Sequence, residues 1–215
     1  MNCERLMSAK LKELLERIVG ERAPGPSPTF SVFHILHAIE LIAEKKLGRG
    51  KLAESLSVGE GAARTIVDRL RDAGLIETSK SGCVLTSKGV KFWNSYRSIF
   101  VKKAEIGKNE LTLSDYNFAI LVKNRGDKIR YGIEQRDAAI RAGAKGATTI
   151  IFVEGQLKVP SISENAKSDF PEATSQIFRL FKPEENDVII IASAEDSKSA
   201  NYGALAAAWT LLEDC

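Results

Sequence analysis

The chain has 215 residues, 44% hydrophobic and 27% charged, a balance that lets one large core or two small ones form without metal or disulfide staples. Its 31 basic and 28 acidic residues leave a net charge of +3, too small to name a partner by itself. The apolar runs Val188–Ser193 and Ala204–Leu212 are far shorter than a membrane span, and no leader-like N-terminal stretch is seen, so neither a membrane partner nor secretion is expected.

In chain order, Leu6, Leu11, Leu14, Leu15, Ile18 and Val19 recur at helical spacing within Met1–Gly20. The prolines of Ala23–Pro28 then break the chain, so residues 1–27 read as an amphipathic helix and a linker. Thr29 or Ser31 can cap a second helix, about Phe30 to Lys46, that directs Val32, Ile35, Leu36, Ile39 and Ile42 inward. The histidines, His34 and His37, share one face of it. No further ligands accompany them, so packing is expected rather than a metal. Cys3, Cys83 and Cys215 lack zinc spacing and read as reduced thiols of a cytosolic protein. No P-loop, dinucleotide or nucleophile-elbow motif is present. Neither a cofactor nor a catalytic group is therefore expected.

Residues 51–76, KLAESLSVGEGAARTIVDRLRDAGLI, carry the sharpest pattern. Two helices meeting steeply through a short turn need a small residue at the crossing and apolar fillers in the angle. Ala53 meets the first demand, and Leu52, Leu56 and Val58 the second. Gly59 precedes a helix with Ala63, Ile66, Val67 and Leu70 inward. Ile76–Leu85 reads as a hairpin with a polar tip, and Thr86 or Ser87 can cap a closing helix that fades near Ile106.

From about Asp115 the texture changes. Tyr116–Lys123, Thr148–Val153 and Val188–Ala194 read as strands, with Leu157–Val159 completing a hairpin. Tyr131–Gly143, the stretch after Phe170-Pro171 through Leu180, and about Ser199 to Leu212 read as helices, the first with Ile133, Ala138, Ala139 and Ile140 contributing apolar surface. Alternating strands and helices predict a small α/β domain over residues 111–215, its sheet mixed because of the hairpin.

The phrases LAESLSV…RTIVDRLRDAGLI and LTSKG, with helix, wing and closing helix in order, closely resemble winged-helix transcription regulators of the multiple-antibiotic-resistance and related families. The resemblance spans roughly residues 30–105, and the implied domain is 28–105. It implies that Glu60, Gly61, Ala62, Arg64, Thr65, Asp68 and Arg69 face the major groove of double-stranded DNA, Arg64 being the candidate for guanine. It also implies phosphate contacts from Arg49 and Lys51, and wing-tip contacts from Lys80 and Ser81. Gly61 and Ala62 offer little side-chain chemistry, and Glu60 and Asp68 oppose phosphate. With its ending SANYGALAAAWTLLED, the whole chain looks like a group of uncharacterised archaeal winged-helix proteins with an α/β domain.

In the second half, polar residues at strand ends that open onto helices are the candidate binding positions for a small-molecule effector. They are Arg125, Lys128 and Arg130 after the first strand, and Ser197, Ser199, Asn201 and Tyr202 after the last. Glu134, Arg136 and Asp137 read as ordinary helix-surface charges. A cytoplasmic, homodimeric transcriptional regulator is expected, its α/β domain over residues 111–215 binding an effector, dimerising, or both, with the N-terminal and closing helices as further dimer surfaces. The alternatives are a winged-helix protein-interaction module, or an enzyme with a regulatory winged helix like the biotin-ligase repressors; the latter's adenylation loop is absent from the second half. Residues 1–110 hold 19 basic and 13 acidic residues, and 111–215 hold 12 and 15, so the basic half is the one with the helix-turn-helix.

Overall fold

The computed structural model describes residues 3–20 and 29–212, so the proline-rich stretch Ala23–Pro28 lies outside the described residues. The chain forms two units that divide between Tyr96 and Arg97.

The first unit contains α1 (Cys3–Val19), α2 (Val32–Glu44), α3 (Arg49–Leu56), α4 (Glu60–Asp72), the hairpin strands β1 (Ile76–Ser79) and β2 (Gly82–Leu85), and most of α5 (Ser87–Ile99). Ile35, Ile39, Leu52, Leu56, Ile66 and Leu70 are fully buried at the centre, each worth roughly 1.5–3 kcal/mol of apolar transfer. The corner between α3 and α4 is tight. Ser57 turns into the left-handed region at φ 52°, and the Val58 N–H donates to the Ala53 carbonyl at 3.0 Å. The His34 ring accepts the Ser31 N–H through Nδ1 at 3.1 Å, which fixes the start of α2.

The LTSKG phrase has a mechanical explanation. Thr86 Oγ1 donates to the Gly74 carbonyl at 2.6 Å and accepts from the Gly89 N–H at 3.0 Å. Lys88 Nζ donates to the Ala73 carbonyl at 2.7 Å. The chain leaving α4 is thereby sewn to the start of α5, and Thr86 is the residue that caps it. A Cβ at Gly89 would stand 2.0 Å from the Leu75 carbonyl oxygen, so only glycine fits there.

The second unit contains β3 (Phe100–Glu105), β4 (Tyr116–Val122), α6 (Ile133–Arg141), β5 (Gly146–Val153), β6 (Gln156–Lys158), α7 (Ala166–Asp169), α8 (Pro171–Leu180), β7 (Asp187–Ala194) and α9 (Ser197–Trp209). The five-stranded sheet has the order β3-β4-β7-β5-β6. Ala119, Leu121, Ile150, Ile189 and Ile191 pack with Ala173, Ile177 and Phe181 of the α8 region. α6 and α9 pack together and on β5, β7 and β4, so helices cover both faces. All eight residues of β7 are buried. Gly203 lets α9 approach, since a Cβ there would stand 2.6 Å from Ala144 Cβ and 3.4 Å from Ala192 Cβ.

The fold class expected from the sequence, a winged helix followed by a mixed α/β domain, is the one formed. Two details differ. Every strand pairing in the larger sheet is antiparallel, because β7 inserts between β4 and β5, which run parallel to each other without being neighbours. The closing helix stops at Ile99, and the next six residues are the edge strand β3. Counted at the structural division, the first unit has 15 basic and 11 acidic residues and the second 16 and 17. The charge contrast is therefore smaller than a division at residue 110 gives.

Candidate nucleic-acid interface

The start of α3, the exposed face of α4 and the β1–β2 wing form two surface depressions that share Arg49. Arg49, Gly50, Glu60, Gly61 and Arg64 line one. The other runs from Gly48 and Arg49 past Asp68 and Arg71 to the wing residues Thr78–Cys83. α4 can present this face because Ala63, Ile66, Val67 and Leu70 hold its opposite side in the core. Arg64 and Thr65 are exposed and Ala62 and Asp68 half-buried. The Thr65 hydroxyl donates to the Gly61 carbonyl at 3.0 Å, which leaves its oxygen lone pairs to accept.

Both helices that enter the concavity begin on glycine. Gly48 and Gly59 are N-caps without a side-chain cap bond. Gly50 and Gly61 follow in the first turns, and a Cβ at any of the four would meet nothing within 4 Å. The Cβ side of both helix starts is thus open, at the end of each helix where the dipole is positive. Two acids lie on the same face. Asp68 is engaged by Arg71 at 2.9 Å, so its charge is locally offset. At the wing tip, Ser79 Oγ donates to the Gly82 carbonyl at 3.1 Å and accepts from the Ser81 N–H at 3.2 Å. This fixes the turn that carries exposed Lys80 and Ser81. Behind the wing, the Cys83 N–H donates to the Leu47 carbonyl at 2.9 Å. Burial pushes the Cys83 thiol up, against a smaller downward pull from Arg49, so this sulfur is packing rather than a nucleophile.

One residue in the expected DNA-facing set is corrected. Arg69 is buried, and its guanidinium NH1 donates to the carbonyls of Ile18, Val19 and Gly20 at 2.8, 2.6 and 3.0 Å. It also lies 5.2 Å from the Phe30 ring centroid. Arg69 closes the carbonyl end of α1 instead of reaching outward, as favours a cation at a helix C-terminus. Arg71 was missed and belongs to the face. It stands seven residues after Arg64, two helical turns along the same stripe, a spacing visible in the sequence.

The expected effector residues are not brought together. Tyr116 pairs with Ala194 and Val122 with Val188, so the positions following β4 and β7 lie at opposite ends of the sheet. Arg125 is buried and donates to the Asn124 carbonyl at 2.9 Å, in a loop whose Arg125 and Gly126 N–H groups both donate to the Asn186 carbonyl. Lys128 is half-buried and Arg130 exposed. At the other end, the start of α9 already holds an anion. Asp196 accepts from the Ser199 N–H at 2.9 Å and the Ser199 hydroxyl at 2.6 Å. Those bonds hold its carboxyl below the usual aspartate range. Ser197 reaches Glu105 at 3.4 Å, and Asn201 is half-buried. Tyr202 is buried beneath Lys198, 5.7 Å from its ring centroid, with its hydroxyl pushed up to about 12 by burial. It offers no open stacking surface. Among the described residues no helix is long and apolar enough to cross a membrane.

No curated protein matches the chain. A hypothetical protein from Pyrococcus horikoshii OT3 is similar in structure, with a TM-score of 0.69 and 29% identity over 85% of this chain and 92% of that one. Residues 113–211 match a domain of unknown function, DUF4443. Residues 31–100 match the CggR N-terminal DNA-binding domain, so the concave face described above lies on a DNA-binding domain of CggR type.

Proposed function

We propose that the chain is a cytoplasmic transcriptional regulator that reads double-stranded DNA with α4 in the major groove, while its second unit self-associates and responds to a small ligand. The observation that carries the reading is the convergence of Arg49, Arg64, Arg71 and Lys80 on one concave face made by α3, α4 and the wing. Lys51, exposed on α3, extends it. Arg64 carries base readout, whereas Arg49, Lys51 and Lys80 position the backbone. A ligand acts by changing the spacing of two recognition helices on paired half-sites. The role proposed is not catalytic.

Selection of bound fragments from a genomic DNA library at fixed salt tests this. Enrichment of particular fragments, lost in Arg64→Ala, is expected. Failure to enrich any fragment would replace this reading with a winged-helix protein-interaction module.

A further inference from the structure

The two helices expected as dimer surfaces bury most of their described apolar residues, Val90 of α5 being 45% exposed. On α1, Leu11, Leu15 and Ile18 are buried, and on α5 so are Phe92, Tyr96 and Ile99. More exposed apolar residues lie in the second unit, Leu113, Ile162 and Phe178 singly, and two together on one helix. In α6, Gln135, Ala138 and Ala139 face the interior, which turns Ile133 and Ile140 to the outermost line of the helix. They are 46% and 47% exposed. A helix normally presents polar groups there. Seven residues apart, they stand on one stripe about 10 Å long, with Arg136 and Asp137 midway between them. Tyr131, 65% exposed, extends the apolar surface beyond the helix start.

We propose that this stripe of α6 packs against the same stripe of a second copy of the chain. Read from the other end the pattern is isoleucine, Asp137, Arg136, isoleucine, so that each charge stands where its opposite did. A two-fold copy therefore brings isoleucine onto isoleucine at both ends and gathers two arginines and two aspartates into one neutral central layer. Within one chain Arg136 donates from Nε and NH2 to Asp137 Oδ1 at 3.1 and 3.0 Å. That pair is about half exposed and of little worth in water, so sharing its donors with a partner gives up little. None of these residues belongs to the DNA-facing set of the first unit. The contact deepens the self-association in the proposed function and stands on residues of the second unit alone.

Stable complexes bury roughly 1,200–2,000 Å², and a two-turn stripe with one tyrosine is below that range. The association is accordingly reversible and dependent on concentration. Sedimentation equilibrium of the full chain, without DNA, reads it directly. A monomer–dimer equilibrium is expected. Ile140→Glu weakens it about tenfold or more, and so does Arg136→Asp, which leaves four acids in the central layer. The double exchange R136D/D137R restores neutrality and brings the dissociation constant back to within about threefold. All these side chains point outward, so circular dichroism melts should stay close to the parent's, and the double exchange controls for damage to α6. A chain that is monomeric at every concentration, or a dimer indifferent to both single changes, overturns the proposal, as does a double exchange that fails to restore association. With no DNA in the cell, none of these outcomes bears on whether the first unit reads DNA.

Discussion

Side chains a few residues apart on α4 have opposite fates, and the difference is geometric. Arg64 stands on the exposed stripe, while Arg69 is half a turn round and reaches the carbonyls that end α1. Replacing Arg69 with alanine should cost about 2–4 kcal/mol, because three carbonyl acceptors lose a buried cation. Urea unfolding measures it, and an unchanged midpoint would show the bonds to be dispensable. Gly50 and Gly61 argue in the other direction. Neither has a positive φ or a neighbour within 4 Å of a would-be Cβ, so nothing in the fold demands glycine. Alanine at either position should leave folding unharmed or improve it by up to about 1 kcal/mol. A DNA backbone drawn close to those helix starts would meet the new methyl, so Gly61→Ala should bind DNA several-fold more weakly while melting no lower. Gel-shift titration beside a thermal melt separates the two effects. Equal affinity would mean that the phosphates keep their distance from α4.

Elements were readable where one chemical pattern dominated. The winged helix was legible because Ala53, Gly59, the inward series Ala63–Leu70 and the LTSKG phrase each do one local job. β3 was not, since Phe100–Glu105 alternates too weakly for a strand signal and continues straight from a helix. The expected effector positions failed for a topological reason. Both strand ends had the right residues, but an antiparallel β4–β7 pair sends them to opposite ends of the sheet, and neighbouring backbone takes up Arg125 and Asp196 takes up Ser199. Strand direction is set by where β7 inserts, which no local pattern records. At this scale Glu110 offers a test. Its carboxylate accepts from the Glu172 and Ala173 N–H groups at 3.0 and 2.8 Å, and so caps α8 from a distant loop. Desolvation, the largest single influence, raises its pKa, but the backbone bonds together outweigh it and hold the group below the usual glutamate range. A lowered folded-state pKa stabilises the fold above the ordinary value, and the gain disappears as pH falls through the lowered one. The parent should therefore melt higher than Glu110→Gln near neutrality, with the gap closing below about pH 4. A gap that stays unchanged as pH falls well below the ordinary glutamate range would refute the assignment.

For the whole molecule the net charge of +3 hides a weak contrast, 15 basic against 11 acidic residues up to Tyr96 and 16 against 17 beyond. A surplus that small cannot draw DNA to the chain in general, so attraction must come from local placement of Arg49, Lys51, Arg64, Arg71 and Lys80. This makes the salt dependence diagnostic. About four or five neutralised phosphates per copy give a slope of log affinity on log salt near −4. Two copies joined through α6 on paired half-sites should give about −8. Arg136→Asp, which separates the copies without touching the DNA face, should return the slope to about −4 and flatten the binding curve. Lys80→Ala should instead reduce the parent's slope by about two, one phosphate contact from each copy. Fluorescence anisotropy on one labelled duplex across a salt series reads both. If Arg136→Asp kept the parent's steep slope, the two copies would have to be held together on DNA by something other than α6.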